Sequence, residues 1–345
     1  MDIILKISQK LMCRQEQVAA AVKLIDEGCT IPFIARYRKE ATGSLNDEQL
    51  RTLDERLTYL RGLEDRKEKV IASIEEQGML TDELKKSILA AETLVAVEDL
   101  YRPYKPKRKT RATIAQSKGL TGLANIISLQ MTNKPISEEA LAYVSEEKKV
   151  HSAEEAIAGA MDIVAESISD NAEYRTEIRS LTMDKGILMT TAKDPEAESV
   201  YEMYYDFSTP VRKMTGYRTL AINRGEKEKF LSVKIEAPVD EITGYLIRQV
   251  IVRDNPNTND ILRNTITDSY ERLIAPSIER DIRSSLTEAA EDGAIKVFGS
   301  NLKQLLMQPP INDHVVLGWD PAFRTGCKLA VVDATGKVLA TKVIY

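Results

Sequence analysis

Between Asn46 and Gln77, large aliphatic side chains recur at Leu50, Leu53, Leu57, Leu60, Ile71 and Ile74. Near-heptad spacing of this kind places one apolar stripe along a helix. Asn46 is a capping residue at its start, and Gln49 three residues later completes a capping-box pattern. The spacing predicts one long helix reaching Gln77, with Gly62 as the point where it bends. The stripe lapses between Leu63 and Val70. A free coiled coil needs an unbroken seam, so the helix is expected to be an arm packed on its neighbours.

More helices surround it. Val18, Ala21, Val22 and Ile25 form one apolar face, and Gly28 follows as a stop. Thr81 caps a further helix, and another starts near Thr93. Ser152 and Glu155 give a second capping box, which opens a helix to about Ser169. The pattern then changes. Gly186–Thr191 and Phe230–Ala237 read as short strands, and Asn223–Gly225 reads as a turn. Helix returns from about Asp240 to Leu306, kinked or divided by Pro276. Met307–Asn312, with two prolines, is a linker. After it the period becomes that of strands at Val315–Trp319, Lys328–Val332 and Val338–Ile344, the last two joined by a hairpin turn. The expected class is mainly α with a few short strands. Three regions are expected: a helical domain over 1–192, a central helical region with a short strand element over 193–312, and the start of a further domain over 313–345. Three strands without covering helices leave an open edge and a bare face, so that last domain reads as incomplete.

Composition removes several function classes. No run of about 18 apolar residues exists, so no membrane span is expected. The N-terminus lacks the pattern of a signal peptide, and three well-separated cysteines suit a reducing cytoplasm. The two histidines, His151 and His314, have no partners at metal-ligand spacing and no nucleophile motif beside them. Both are read as structural, with no metal site and no cofactor expected.

The net charge is −5, yet Tyr101–Arg111, YRPYKPKRKTR, holds six cations and no acid. Lys105, Lys107, Arg108, Lys109 and Arg111 are candidate phosphate contacts, and Tyr101 and Tyr104 are candidate stacking partners for bases. The competing reading is a stiff connector. Pro103 and Pro106 extend the chain, the tyrosines pack inward and the cations face water. A second cationic stretch, Pro32–Gly43, carries Arg36, Arg38 and Lys39 beside Phe33 and Tyr37. There Ile31, Phe33 and Ile34 are expected to be buried, and Asp26, Glu27 and Glu40 to pair with the arginines. Arg218 precedes the expected turn and Arg224 lies within it, and the turn is assigned no ligand.

Four stretches taken together resemble a known family. They are Thr30–Leu50, Leu100–Ala115, Gly216–Glu228 and Gly318–Asp333, and they closely resemble the bacterial Tex family of transcription accessory proteins. The resemblance implies an elongated, mostly helical scaffold with helix-turn-helix character. A YqgF-type, RNase H-like domain, helix-hairpin-helix modules and a C-terminal S1 domain would follow it. This chain would hold the helical N-terminal portion and the first strands of the RNase H-like α/β domain. It would lack the S1 domain, so its own binding to RNA or DNA would be weak. RNA polymerase or other transcription factors are the implied partners. Asp320 falls where RNase H-like enzymes hold a metal-binding carboxylate. It is a vestigial candidate only, because later carboxylates are missing and Ala322 replaces the usual glycine. The expected function is therefore a non-enzymatic, nucleic-acid-binding transcription accessory protein. The alternatives are a resolvase-type nuclease whose site begins at Asp320, and a protein–protein interaction module of an elongation complex.

Overall fold

The computed structural model describes residues 2–106, 109–309, 311 and 313–345. The expectations placed on Lys107, Arg108, Pro310 and Asn312 lie outside them. The protein is mainly α with two small antiparallel sheets. It divides into two compact units. One comprises Met1–Met214 with Gly225–Ser284, the other Thr215–Arg224 with Ser285–Tyr345.

The first unit opens with α1 (Ile3–Leu11), α2 (Gln15–Asp26), α3 (Ile31–Tyr37) and the long α4 (Asp47–Glu76). Asn46 Oδ1 accepts from Gln49 N at 2.8 Å and Gln49 Oε1 accepts from Asn46 N at 3.0 Å, the expected reciprocal box. Leu50, Leu53, Leu57 and Leu60 pack with Ile7, Val18, Ala21 and Ile34 in one core. Gly62 lies inside a continuous helix. The lapse in the stripe is filled by Lys67, which is 1% exposed. Its stem completes the apolar face, and its ammonium reaches the Leu89 carbonyl at 2.8 Å and Glu64 at 2.9 Å. The Leu89 carbonyl belongs to the last turn of α5 (Asp82–Ala90), where a cation is favoured by the helix dipole.

α6 (Leu94–Tyr101) continues into a 3-10 turn, Arg102–Tyr104, and α7 (Arg111–Ser117), α8 (Thr121–Leu129) and α9 (Ile136–Leu141) follow. These three helices pack on α10 (Ala153–Asp170). Its buried face is made of small residues, Ala156, Ala160 and Ala165, with Val164 and Ile168. At Gly159 a Cβ would stand 2.4 Å from Leu120 Cδ1, so the approach of the chain there depends on glycine. α11 (Ala172–Lys185) leads into a sheet of β1 (Ile187–Ala192) and β2 (Asp206–Pro210). α12 (Gly216–Lys227) precedes β3 (Leu231–Glu236), and the order is β2-β1-β3, all antiparallel.

Three expectations are corrected here. Asn223–Gly225 is not a turn but part of α12. Within that helix a Cβ at Gly225 would meet Leu231 Cδ1 at 2.7 Å and Tyr201 Cδ1 at 3.1 Å, so packing and not a turn accounts for the glycine. β2, with the sequence DFSTP, lies where the alternation of residues predicts no strand; it is an edge strand. α13 (Val239–Val250) and α14 (Asn259–Asp268) follow, then a π-helical segment, Ser269–Ile274, and α15 (Ala275–Leu306). Pro276 is the second residue of α15, immediately after the widened turns. The helix runs unbroken past it, so Pro276 does not divide the segment; the break in the helix expected from Asp240 to Leu306 lies instead at 251–258, between α13 and α14.

In the second unit β4 (Val316–Asp320), β5 (Cys327–Val332) and β6 (Val338–Ile344) form an antiparallel sheet in that order, close to the expected ranges. Asp333 shapes the β5–β6 turn, accepting from Thr335 N at 2.9 Å and Lys337 N at 3.0 Å. Among the described residues no helix is long and apolar enough to cross a membrane.

Candidate nucleic-acid interface

The basic segment is anchored at its start. α6 places Val97 and Tyr101 one turn apart on its inner face, and both are buried. The Tyr101 hydroxyl lies 3.0 Å from Ser73 Oγ of α4. The Arg66 guanidinium covers the Tyr101 ring at 5.4 Å and donates to Glu98 at 2.6 Å. The ring expected to stack on bases is therefore a core side chain. Tyr104 is half-buried against the same core, and its carbonyl accepts from Gln77 Nε2 at 3.0 Å. The 3-10 turn is thus held to α4 at both tyrosines.

Beyond it the described cations face solvent. Lys105 and Lys109 are exposed, as is Arg111, the first residue of α7. Thr110 caps α7 by a reciprocal pair of bonds with Thr113. Lys107 and Arg108 lie outside the described residues. Carboxylates stand at both ends of the segment. Lys105 Nζ is 3.8 Å from Glu98, and Thr110 Oγ1 donates to Glu166 at 3.4 Å. Arg111 acts on Asp162 and Asp268 by charge. Asp268 is held below the usual carboxylate range, chiefly by hydrogen bonds from Arg272 and in part by Arg111. Burial pushes Asp162 up against the pull of Arg272 and Arg111. A cleft of about 640 Å³ opens beside the segment, lined by Gln77, Tyr104, Lys105, Glu166 and Asp170 among others. Acids on its wall oppose a phosphate, so the cationic ridge and not the cleft suits a polyanion.

Under the segment lies an ionic network that the sequence did not reveal. Asp99 of α6 accepts from Arg175 Nε at 2.7 Å and Arg179 Nη2 at 2.8 Å, both on α11. Arg179 also reaches Asp281 of α15 at 3.1 Å, and Arg175 Nη2 donates to Ser277 at 2.8 Å. Arg102, at the head of the 3-10 turn, is drawn below its ordinary value, first by burial and then by the Arg175 charge. The network ties α6, α11 and α15 together. Its only trace in the sequence is a polar residue, Asp99, close to the buried positions of α6.

The Pro32–Gly43 stretch is also corrected. Ile34 is buried, but Phe33 is 37% and Tyr37 is 67% exposed. Asp26 pairs not with these arginines but with Arg61 of α4, through bonds of 2.7 and 2.8 Å. Among the described residues Arg36, Arg38 and Lys39 make no ion pair; the Arg38 guanidinium rests on the Phe33 ring at 5.4 Å.

Asp320 closes β4 opposite Lys328 and is exposed. Among the described residues no group of three His, Cys, Asp or Glu side chains could hold a metal ion. His151 precedes the Ser152 cap, and its backbone N–H donates to Glu155 Oε2 at 3.0 Å.

Three family models match the chain: the Tex-like protein N-terminal domain over residues 1–75, the Tex central region-like model over 131–298 and the Tex protein YqgF-like domain over 314–345. The YdcI protein of Bacillus subtilis is 49% identical over 343 residues, covering 99% of this chain and 48% of that protein. The transcriptional accessory protein Tex of Neisseria gonorrhoeae is 41% identical, with 100% of this chain and 46% of that protein aligned. The human S1 RNA-binding domain-containing protein 1 is 30% identical over 100% of this chain and 36% of its own length. The chain spans about half the length of the bacterial relatives it matches.

Proposed function

The chain belongs to the Tex family, and from that premise we propose that it is a non-enzymatic accessory scaffold of transcription. It contacts RNA or DNA in the cytoplasm, in company with the transcription machinery. The observation that carries this reading is the ridge beyond Tyr104. The chain is tied to Ser73 of α4 through the Tyr101 hydroxyl and to Gln77 through the Tyr104 carbonyl, and beyond it Lys105, Lys109 and Arg111 are exposed. Exposed cations of this kind meet phosphates on the backbone, so they position the chain and read no sequence. The carboxylates at each end of the ridge keep the binding weak, and the cation–phosphate contacts make it sensitive to salt. The name of the Neisseria relative supports the link to transcription.

A salt titration tests it. Labelled single-stranded RNA and DNA should bind the full 345-residue chain at low salt. Replacing Lys105, Lys107, Arg108 and Lys109 with alanine should weaken all sequences about equally. It should also flatten the salt slope by roughly one unit for each phosphate that is no longer neutralised. An unchanged slope in the variant would make the ridge a connector and nothing more.

A further inference from the structure

We infer that the outer face of α3 and the turn after it form a stacking platform for single-stranded nucleic acid, separate from the ridge. The inference rests on the reading above that the chain binds nucleic acid.

The sequence IPFIARY divides by helical phase. Ile31, Ile34 and Ala35 pack against the core of the first four helices. Phe33, Arg36 and Tyr37 point the other way and are exposed. A short helix has no need of two aromatic rings on its solvent side, and polar residues would be the stable choice there. The rings instead stand together, with centroids 5.4 Å apart and planes inclined by 46°. The guanidinium of Arg38 lies against one of them. Arg36 and Lys39 are exposed beside them and unengaged by any acid among the described residues. Glu40 is the one carboxylate of residues 36–40, so this stretch carries three cations against one anion.

The backbone under these groups is fixed. Thr42 is buried and its hydroxyl donates to the Arg38 and Lys39 carbonyls at 3.3 and 3.2 Å. Ser44 N donates to the Lys39 carbonyl at 2.7 Å, and Gln17 Nε2 reaches the Gly43 carbonyl at 2.7 Å. Gly43 has φ +58°, and a Cβ there would stand 2.9 Å from Gln17 Nε2. The turn therefore closes on α2 and holds Arg38 and Lys39 in place. Preorganised rings offer a face to any base, and neighbouring cations meet the adjoining phosphates. Bases in a duplex are already stacked, so the platform favours single strands.

The test uses fluorescein-labelled 20-nucleotide oligo(rU) and oligo(dT) and a duplex of the same length, with binding followed by anisotropy. Tyr37→Ala should weaken single-strand binding about five- to 150-fold, the range for loss of one base–aromatic stack. Tyr37→Phe keeps the ring and should stay within about twofold of the parent. Arg36→Ala with Lys39→Ala should reduce the salt slope. Trp319 is the only tryptophan. In a Trp319→Phe chain, Tyr37→Trp therefore creates a local fluorophore, which a stacked base should quench. Tyr37 is exposed, and circular dichroism will show each variant folded. If the parent binds and Tyr37→Ala binds equally well, the platform is overturned while the ridge and the family reading stand. Duplex binding as tight as single-strand binding, with the same loss in Tyr37→Ala, also overturns it. If the parent binds none of the three probes, both readings fall together.

Discussion

Replacing Asp99 with alanine isolates the energetic role of the network beneath the basic ridge. Asp99 accepts 2.7 and 2.8 Å bonds from Arg175 and Arg179. The Arg175 side chain has 0% exposure, and its Nη1 has no acceptor among the described residues. After the substitution Arg175 keeps Ser277 at 2.8 Å and a distant Asp281 at 3.7 Å. A buried charge deprived of its partner costs about 3–5 kcal/mol, because the remaining guanidinium is neither hydrated nor neutralised. Asp281 takes up part of the load, so the lower end, about 3 kcal/mol, is expected. For a unit of this size that corresponds to a fall in Tm of roughly 5 °C. Urea and thermal melts followed by circular dichroism measure it. Asp65→Ala, which removes an exposed pair with Lys69, should change stability by less than about 0.5 kcal/mol. In an Arg175→Met background the Asp99→Ala loss should shrink, since the most deeply buried charge is gone. A loss below about 1 kcal/mol, or an equal loss in both backgrounds, would refute the reasoning.

Three further outcomes are expected. The Trp319 indole and the Ala322 backbone draw the Cys327 thiol down, while burial pushes Cys13 up. Iodoacetamide at neutral pH should therefore label Cys327 first, and peptide mass spectrometry showing the reverse order would contradict this. Thr335 and Lys337 hold the Asp333 carboxyl below its ordinary value. Because the folded value is depressed, its contribution is complete above the ordinary aspartate range and is lost as pH falls through the folded value. An NMR titration should give an Asp333 midpoint below about 3.9, and one at or above that value would count against the turn geometry. Asp320 stands in β4 without a convergent acidic cluster among the described residues. The chain should leave single-stranded, duplex and branched substrates uncut in Mg²⁺ or Mn²⁺, and cleavage abolished by Asp320→Asn would defeat the non-enzymatic reading.

Local signals in the sequence carry most of the secondary structure. Asn46 with Gln49, Thr81 and Ser152 cap helices as expected and Thr93 caps the one expected near it, because a side chain three residues from an unpaired N–H is a property of the sequence alone, although the box expected at Ser152 is not closed, since Glu155 accepts from His151 N instead. Long-range partners are not legible there. Lys67 interrupts the apolar stripe in the sequence yet is buried, because the carbonyl that accepts from it lies 22 residues away. Gly225 reads as a turn because the side chains that exclude a Cβ, Leu231 and Tyr201, come from other elements. The basic segment is visible as charge, but whether Tyr101 faces a base or Ser73 is a matter of tertiary packing. Hydrophobicity assigns Phe33 to the core, whereas helical phase places it on the solvent side with Tyr37.

The π-helical segment at Ser269–Ile274 acts as a phase shifter between α14 and α15. A regular helix advances about 100° per residue, so the wider turns reset where every later side chain points. Ser277 and Asp281 reach Arg175 and Arg179 only at the present setting. Removing one residue from Ser269–Ile274 would turn both away by about 100°. Such a deletion would leave the composition almost untouched while dismantling the clamp beneath the basic ridge. In this chain, the angular offset stored in a single widened stretch of helix is as much a determinant of the structure as any side chain it aims.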